Sequence, residues 1–156
     1  MLPIKCRVTS VTESVVFMFE VHQPIRLRPH SVSCLGERLS KGVEAIYDWK
    51  LNEEVFKRAT SKCYRPVFKT LLESIRNYDF KFSLSMSGVW IEQASEYSPE
   101  LIDLIRRAVD SGNVELVAQT YYHGVSPLLW DLEESKEQVE ESRRILWEVF
   151  GFRATT

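Results

Sequence analysis

Apolar and polar positions along this chain switch between two periods, and the switches mark out three strand–helix units. The run Val15-Val16-Phe17-Met18-Phe19 is continuous, β-branched and aromatic, which predicts a fully buried strand of a parallel sheet over 15–22. Pro24 then ends its pairing. Residues 23–52 form an excursion too long for a plain loop in a compact domain. Asn52 is placed to cap a helix, with Glu53 and Glu54 in its first turn. Val55, Phe56, Ala59, Cys63, Val67, Phe68, Leu71, Leu72 and Ile75 recur at helical spacing. Pro66 interrupts that pattern, so two helical pieces meeting near Tyr64-Arg65 are expected.

Phe80, Phe82, Leu84 and Met86 alternate with Lys81, Ser83, Ser85 and Ser87, which predicts a strand over 80–87 with one apolar and one small polar face. Ser87-Gly88 reads as its end. Ser98-Pro99-Glu100 starts a helix whose stripe runs from Leu101 to Val109, and Gly112 sits where its C-terminal cap belongs. Val114 to Ala118 is the third strand. Asp131 is placed to cap a last helix that ends at Gly151. The order β, α, β, α, β, α implies a parallel sheet in one α/β domain over residues 1–156.

Composition changes this picture little. A net charge of −2 over 156 residues gives no electrostatic footprint for nucleic acid or anionic membrane, so neither is an expected partner. The three cysteines, Cys6, Cys34 and Cys63, are odd in number and widely spaced. That reads as reduced thiols in a cytoplasmic protein rather than a disulfide framework. No apolar run approaches the roughly 18 residues that a bilayer span needs. The N-terminus does not read as a signal peptide.

Candidate chemistry gathers where strands end, which is where α/β folds bind ligands. His22 follows strand one and His123 follows strand three, so the two could converge on one pocket; His30 lies in the long excursion. Imidazoles can ligate zinc-like ions, but no HxxxH or DxD pattern accompanies these, and no metal or other cofactor is expected. Glu20 lies inside the apolar strand, where a buried carboxylate must be paired or protonated. It is either a structural partner for a base such as Arg26 or an acceptor for substrate hydroxyls. Glu115 is read as structural. Trp49, Trp90, Tyr121, Tyr122 and Trp130 cluster near the expected strand ends, at least half of them as packing. Rings with a polar tip suit the faces and hydroxyls of a sugar.

Two segments, Val21-His22-Gln23-Pro24-Ile25-Arg26-Leu27 and Val114-Glu115-Leu116 followed by Thr120-Tyr121-Tyr122-His123, resemble the motifs of glycoside hydrolase family 57, in particular its α-amylase-like members. Lys62-Cys63-Tyr64 with Pro66, and Ser87-Gly88 with Glu92-Gln93, extend the likeness. The resemblance runs from about residue 15 to the end. It implies a seven-stranded β/α barrel, of which this chain would be the first half, truncated before strand four. It also implies a retaining mechanism on α-glucans, which needs two carboxyl groups about 5–5.5 Å apart. The family carries these on later strands, so no catalytic residue is expected here. Gly124-Val125-Ser126-Pro127 departs from the serine-rich stretch of the family pattern. Substrate contact is what carries over, with His22 and His123 from the two motifs and Gln23, Glu20, Trp90 and Tyr122 as further candidates.

The expected function is the N-terminal half of an α-amylase or 4-α-glucanotransferase type of enzyme, acting on an α-glucan or maltooligosaccharide. Alone it is expected to be inactive. A complementary C-terminal half, or another copy of the chain, is a candidate partner. The competing reading is a non-catalytic sugar-binding or subunit-like half-barrel. A metal-dependent polysaccharide deacetylase would need an Asp with an HxxxH-type ligand set, which the sequence does not show.

Overall fold

The computed structural model describes residues 15–29, 35–125 and 132–155, apart from the side chains of Arg38 and Val43. His30, Cys6, Cys34, Trp130 and Asp131 lie outside the described residues. Strands β1 (Met18–Val21), β2 (Phe82–Met86) and β3 (Val114–Val117) form one sheet in the order β1-β2-β3. Both pairings are parallel, with Val21 level with Met86 and Leu84 level with Leu116. The βα alternation of the sequence is thus the alternation of the fold.

Side-chain parity decides which face is covered. Phe82, Leu84, Met86, Val114 and Leu116 point into the core, and Phe19 and Val21 pack against it. The alternate residues Glu20, Ser83, Ser85, Glu115 and Val117 occupy the other face. The expectation of a strand buried on both faces is corrected for β1. Val15 and Val16 are each 78% exposed, Phe17 49% and Met18 60%. The cause is position: β1 is an edge strand, and the helices cover one face of the sheet. The apolar run was read as evidence of two covers when only one is present.

The first crossover holds α1 (Leu35–Leu39), a 3-10 turn (Val43–Ile46), α2 (Trp49–Ala59), a π-helical turn (Thr60–Tyr64) and α3 (Arg65–Tyr78). The long excursion is partly ordered by a bridge between Leu27 and Tyr47 and by the bonds Arg28 N–H to Ile46 O (2.9 Å) and Asp48 N–H to Arg26 O (3.0 Å). Asp48, not Asn52, caps α2, its carboxylate accepting from the Leu51 N–H at 3.1 Å. Asn52 is instead fully buried one turn into the helix. The two helical pieces meet where expected. Pro66, at the start of α3, cannot donate a backbone hydrogen bond, and the chain passes it through the wider π turn without breaking.

The second crossover is α4 (Gly88–Tyr97) and α5 (Pro99–Asp110), and α6 (Leu132–Phe150) follows β3. Ser87-Gly88 therefore ends β2 and starts α4 in the same step. Trp90, on α4, is completely buried, with its ring 5.4 Å from Tyr64, 5.9 Å from Phe56 and 6.2 Å from Phe68. Gly112, with φ +76°, ends α5 in the left-handed backbone that glycine adopts without penalty.

Gly88 is fixed for a different reason. A Cβ added there would lie 2.2 Å from the Tyr121 ring, which is itself buried. Replacing Gly88 by Ala should destabilise the protein by about 1–3 kcal/mol through overpacking. Thermal unfolding followed by circular dichroism should show a fall in Tm of roughly 3–10 °C. An unchanged Tm would mean that the ring can swing aside.

Candidate functional site

The C-terminal ends of the three strands bring their polar residues to one place. Each strand contributes from the uncovered face, because His22, Ser87 and Gln119 share the parity of Glu20, Ser85 and Val117. The register places His22 beside Ser87, and His22 Nδ1 lies 2.8 Å from Ser87 Oγ. Ser87 is the N-cap residue of α4, yet its side chain makes no capping bond. A serine at this position ordinarily caps a backbone N–H; here its hydroxyl is committed to the imidazole.

His123 comes from beyond β3. The turn 120–124 is closed by the His123 N–H to Thr120 O (2.9 Å) and the Gly124 N–H to Thr120 Oγ1 (3.0 Å). It holds His123 at φ +54°, a left-handed backbone that costs a non-glycine residue about 1–2 kcal/mol. This strain places the His123 ring over His22, with centroids 4.6 Å apart and planes 25° from parallel. Glu20 Oε1 lies 3.2 Å from His123 Nδ1, and about half of each side chain is exposed. Glu20 is thus at the site mouth, not buried in the strand as its apolar neighbours suggested.

One sense of the Gln119 amide satisfies all its neighbours. Its nitrogen then donates to Glu20 Oε1 (3.3 Å) and His123 Nδ1 (2.7 Å), and its oxygen accepts from Ser85 Oγ (3.2 Å) and shares the Ser87 N–H (2.9 Å) with the Val21 carbonyl (3.1 Å). Gln119 and Ser87 were not singled out as site residues from the sequence. The signal was present in the two-residue parity that connects them to Glu20, Ser85 and His22.

The other candidates divide. Tyr122 is 61% exposed, edge-on to Tyr121 at 5.0 Å, beside His123 in the chain. Gln23 is buried and turns inward to Tyr64 and Arg26, so its side chain supports the loop and does not line the cluster. Trp90 packs in the core, and its expected sugar contact is not carried forward. Glu115 sits level with Ser83 at the other end of the sheet. Among the described residues no group of three or more His, Cys, Asp or Glu is arranged to hold a metal. No described helix is long and apolar enough to cross a membrane.

Burial first, and then the neighbouring His123, push the His22 imidazole below its ordinary value of 6.5, while Glu20 pulls weakly the other way. Two imidazoles, a carboxylate, an amide and a hydroxyl set donors and acceptors side by side. That arrangement suits a ligand rich in hydroxyl groups.

A parallel α/β sheet with such a cluster at its strand ends belongs to the class of α/β folds whose ligand sites lie at the C-terminal edge of the sheet. The comparisons with known proteins give the class a family. The model of glycosyl hydrolase family 57 matches residues 16–156, and the chain belongs to that family. A Methanocaldococcus jannaschii protein that carries alpha-amylase as a provisional name is 42% identical over 140 residues, covering 90% of this chain and 29% of that protein. The alpha-amylase of Pyrococcus horikoshii is 34% identical over 91 residues, 58% of this chain and 14% of that protein. The chain thus spans less than a third of the length of these relatives. The solved structure of 4-alpha-glucanotransferase from Thermococcus litoralis matches 89% of this chain and 17% of its own, with a TM-score of 0.63 at 23% identity, which is a likeness of fold.

The lowered His22 value has a sign. A histidine held neutral in the folded state supports folding fully above pH 6.5, and that support is lost progressively as pH falls through its folded midpoint. An NMR titration should place the His22 midpoint below 6.5. His123→Gly, which relaxes the left-handed backbone while removing the ring, should raise that midpoint. A midpoint indifferent to His123 would mean that the stacked pair is not electrostatically coupled.

Proposed function

We propose that this chain supplies substrate contacts to an α-glucan-active glycoside hydrolase of the α-amylase or 4-α-glucanotransferase type. The observation that carries the reading is the stacking of His22 on His123, which joins the two motifs that resemble the family. In this reading His22, His123, Glu20 and Tyr122 meet glucose hydroxyls and ring faces, in a seven-stranded barrel of which β1, β2 and β3 are the first strands. The cytoplasmic setting expected from the cysteines belongs to the same reading.

The retaining pair of carboxyl groups belongs to residues outside this sequence. Glu20 and Glu115 are the acidic residues on the uncovered face of the sheet, but their strands are not adjacent and their register differs by two residues. Their carboxylates also turn to different partners, Glu20 to His123 Nδ1 at 3.2 Å and Glu115 to Ser83 Oγ at 3.5 Å. Retaining chemistry needs its carboxyl groups at about 5–5.5 Å. The exposed apolar residues of β1 give a complementary segment, or a second copy of the chain, an edge to pair with. A non-catalytic sugar-binding module is the second reading, favoured by the strand-end cluster, in which the one carboxylate, Glu20, meets an imidazole and an amide and no second carboxyl group.

Calorimetry with maltoheptaose should detect weak binding that falls about tenfold in His22→Ala, or about 1.4 kcal/mol. The same protein should release no reducing sugar and no transfer products unless a complementary half is added. Turnover by the isolated chain that disappears in Glu20→Gln or Glu115→Gln would overturn the division of labour. Absence of any maltoheptaose binding would overturn the substrate class.

A further inference from the structure

His22 is the first residue after β1, and nothing in the strand itself fixes the chain beyond Val21. Three side chains from the first two crossovers do so. Gln93, on α4 and 3% exposed, spends both hydrogens of its amide nitrogen on backbone carbonyls, of Gln23 at 2.7 Å and of Val89 at 3.1 Å. Its amide oxygen is buried and has no partner among the described residues. An apolar side chain would avoid that cost, so the amide is there for its nitrogen, and so for the Gln23 carbonyl. Asn52, fully buried on α2, accepts from the Arg26 N–H at 2.7 Å and donates to the Arg26 carbonyl at 3.2 Å, as a neighbouring strand would. Tyr64, at the end of the π turn, places its hydroxyl 3.1 Å from the Gln23 amide nitrogen, whose oxygen takes the Arg26 guanidinium at 2.8 and 3.1 Å.

We propose that Gln93, Asn52 and Tyr64 are positioning residues that clamp the turn Gln23–Arg26 from three sides and so hold the His22 imidazole against Ser87 and His123. None of the three hydrogen-bonds a side chain of the cluster among the described residues, although Tyr64 lines the same hollow as Glu20 and His22. They act through His22, by denying the residue after it any other path. Their importance for ligand binding rests on the substrate-contact reading above; their hold on His22 does not.

The test therefore has two arms. In the ligand-free arm, imidazole 15N–1H correlation spectra follow the His22 Nδ1 shift and titration midpoint in Gln93→Met and in Tyr64→Phe. The second variant keeps its ring in the core and removes only the hydroxyl, so it reports even where Gln93→Met folds poorly. The Nδ1 shift should move toward that of an unbonded imidazole, and the midpoint should rise toward 6.5, in each folded variant. Both unchanged in Tyr64→Phe and in folded Gln93→Met would overturn the proposal. In the ligand arm, Gln93→Met should weaken maltoheptaose binding about fivefold in the native background and leave it unchanged in a His22→Ala background. An equal loss in both backgrounds would show that the clamp does not act through His22. Failure of the native protein to bind maltoheptaose would remove the substrate reading, and the spectra alone would then decide the clamp.

Discussion

The hydrogen bond from the Ser87 N–H to the Val21 carbonyl, 3.1 Å long, is the interaction on which the rest of this structure depends. It is the last rung between β1 and β2, and it sets His22 level with Ser87. A one-residue slip would turn every side chain of β1 to the other face. The imidazole would then point into the helices, and Phe19 and Val21 would leave the core. The apolar packing behind the sheet and the polar cluster in front of it are therefore two readings of one register. Burial of Leu84 and Leu116, each worth about 1.5–3 kcal/mol, holds the register from behind.

Much of the fold was legible because the chain changes period so cleanly. Phe82, Leu84 and Met86 against Ser83, Ser85 and Ser87 gave both the strand and its faces. Continuous apolar stretches do not say how many covers they have, so the run of β1 points to two where the fold supplies one. Ser87-Gly88 ends β2 as its residue types indicate; that the same types also start a helix at that point is what the local pattern leaves open. Only the tertiary contact with Tyr121 shows why the glycine is needed there. Asn52 illustrates the same limit. Its residue type suits a cap, and the cap four residues to one side is Asp48; nothing local says that its amide would reach 26 residues back to Arg26.

The candidate site was legible in its histidines and not in its supports. His22 and His123 could be paired from strand position alone, and family likeness gave the same two. Gln119, Ser87 and Gln93 carry no chemical signature of their own. Parity along the strands hints at Ser87 and Gln119, and Ser87 and Gln93 fall in stretches that extend the family likeness, but their partners become visible only when the sheet brings distant residues together. A further trade is made at the helix: Ser87 gives its hydroxyl to an imidazole, and the N–H groups that a serine cap would take are met by backbone instead, Val89 by the Tyr121 carbonyl (3.4 Å) and Trp90 by the Ser87 carbonyl (3.0 Å).

The π turn at Thr60–Tyr64 has a consequence for which changes this protein tolerates. Ser61, Lys62 and Cys63 are exposed, and substitutions there meet little resistance. Length is another matter. A helix advances about 100° per residue. Adding one residue to this surface stretch would turn all of α3 by about that angle, carrying Phe68, Leu71, Leu72 and Ile75 out of the core, whereas removing one would close the π turn to an α turn. The segment is therefore permissive to substitution and closed to insertion. Evolutionary drift should show there as varied letters with none added.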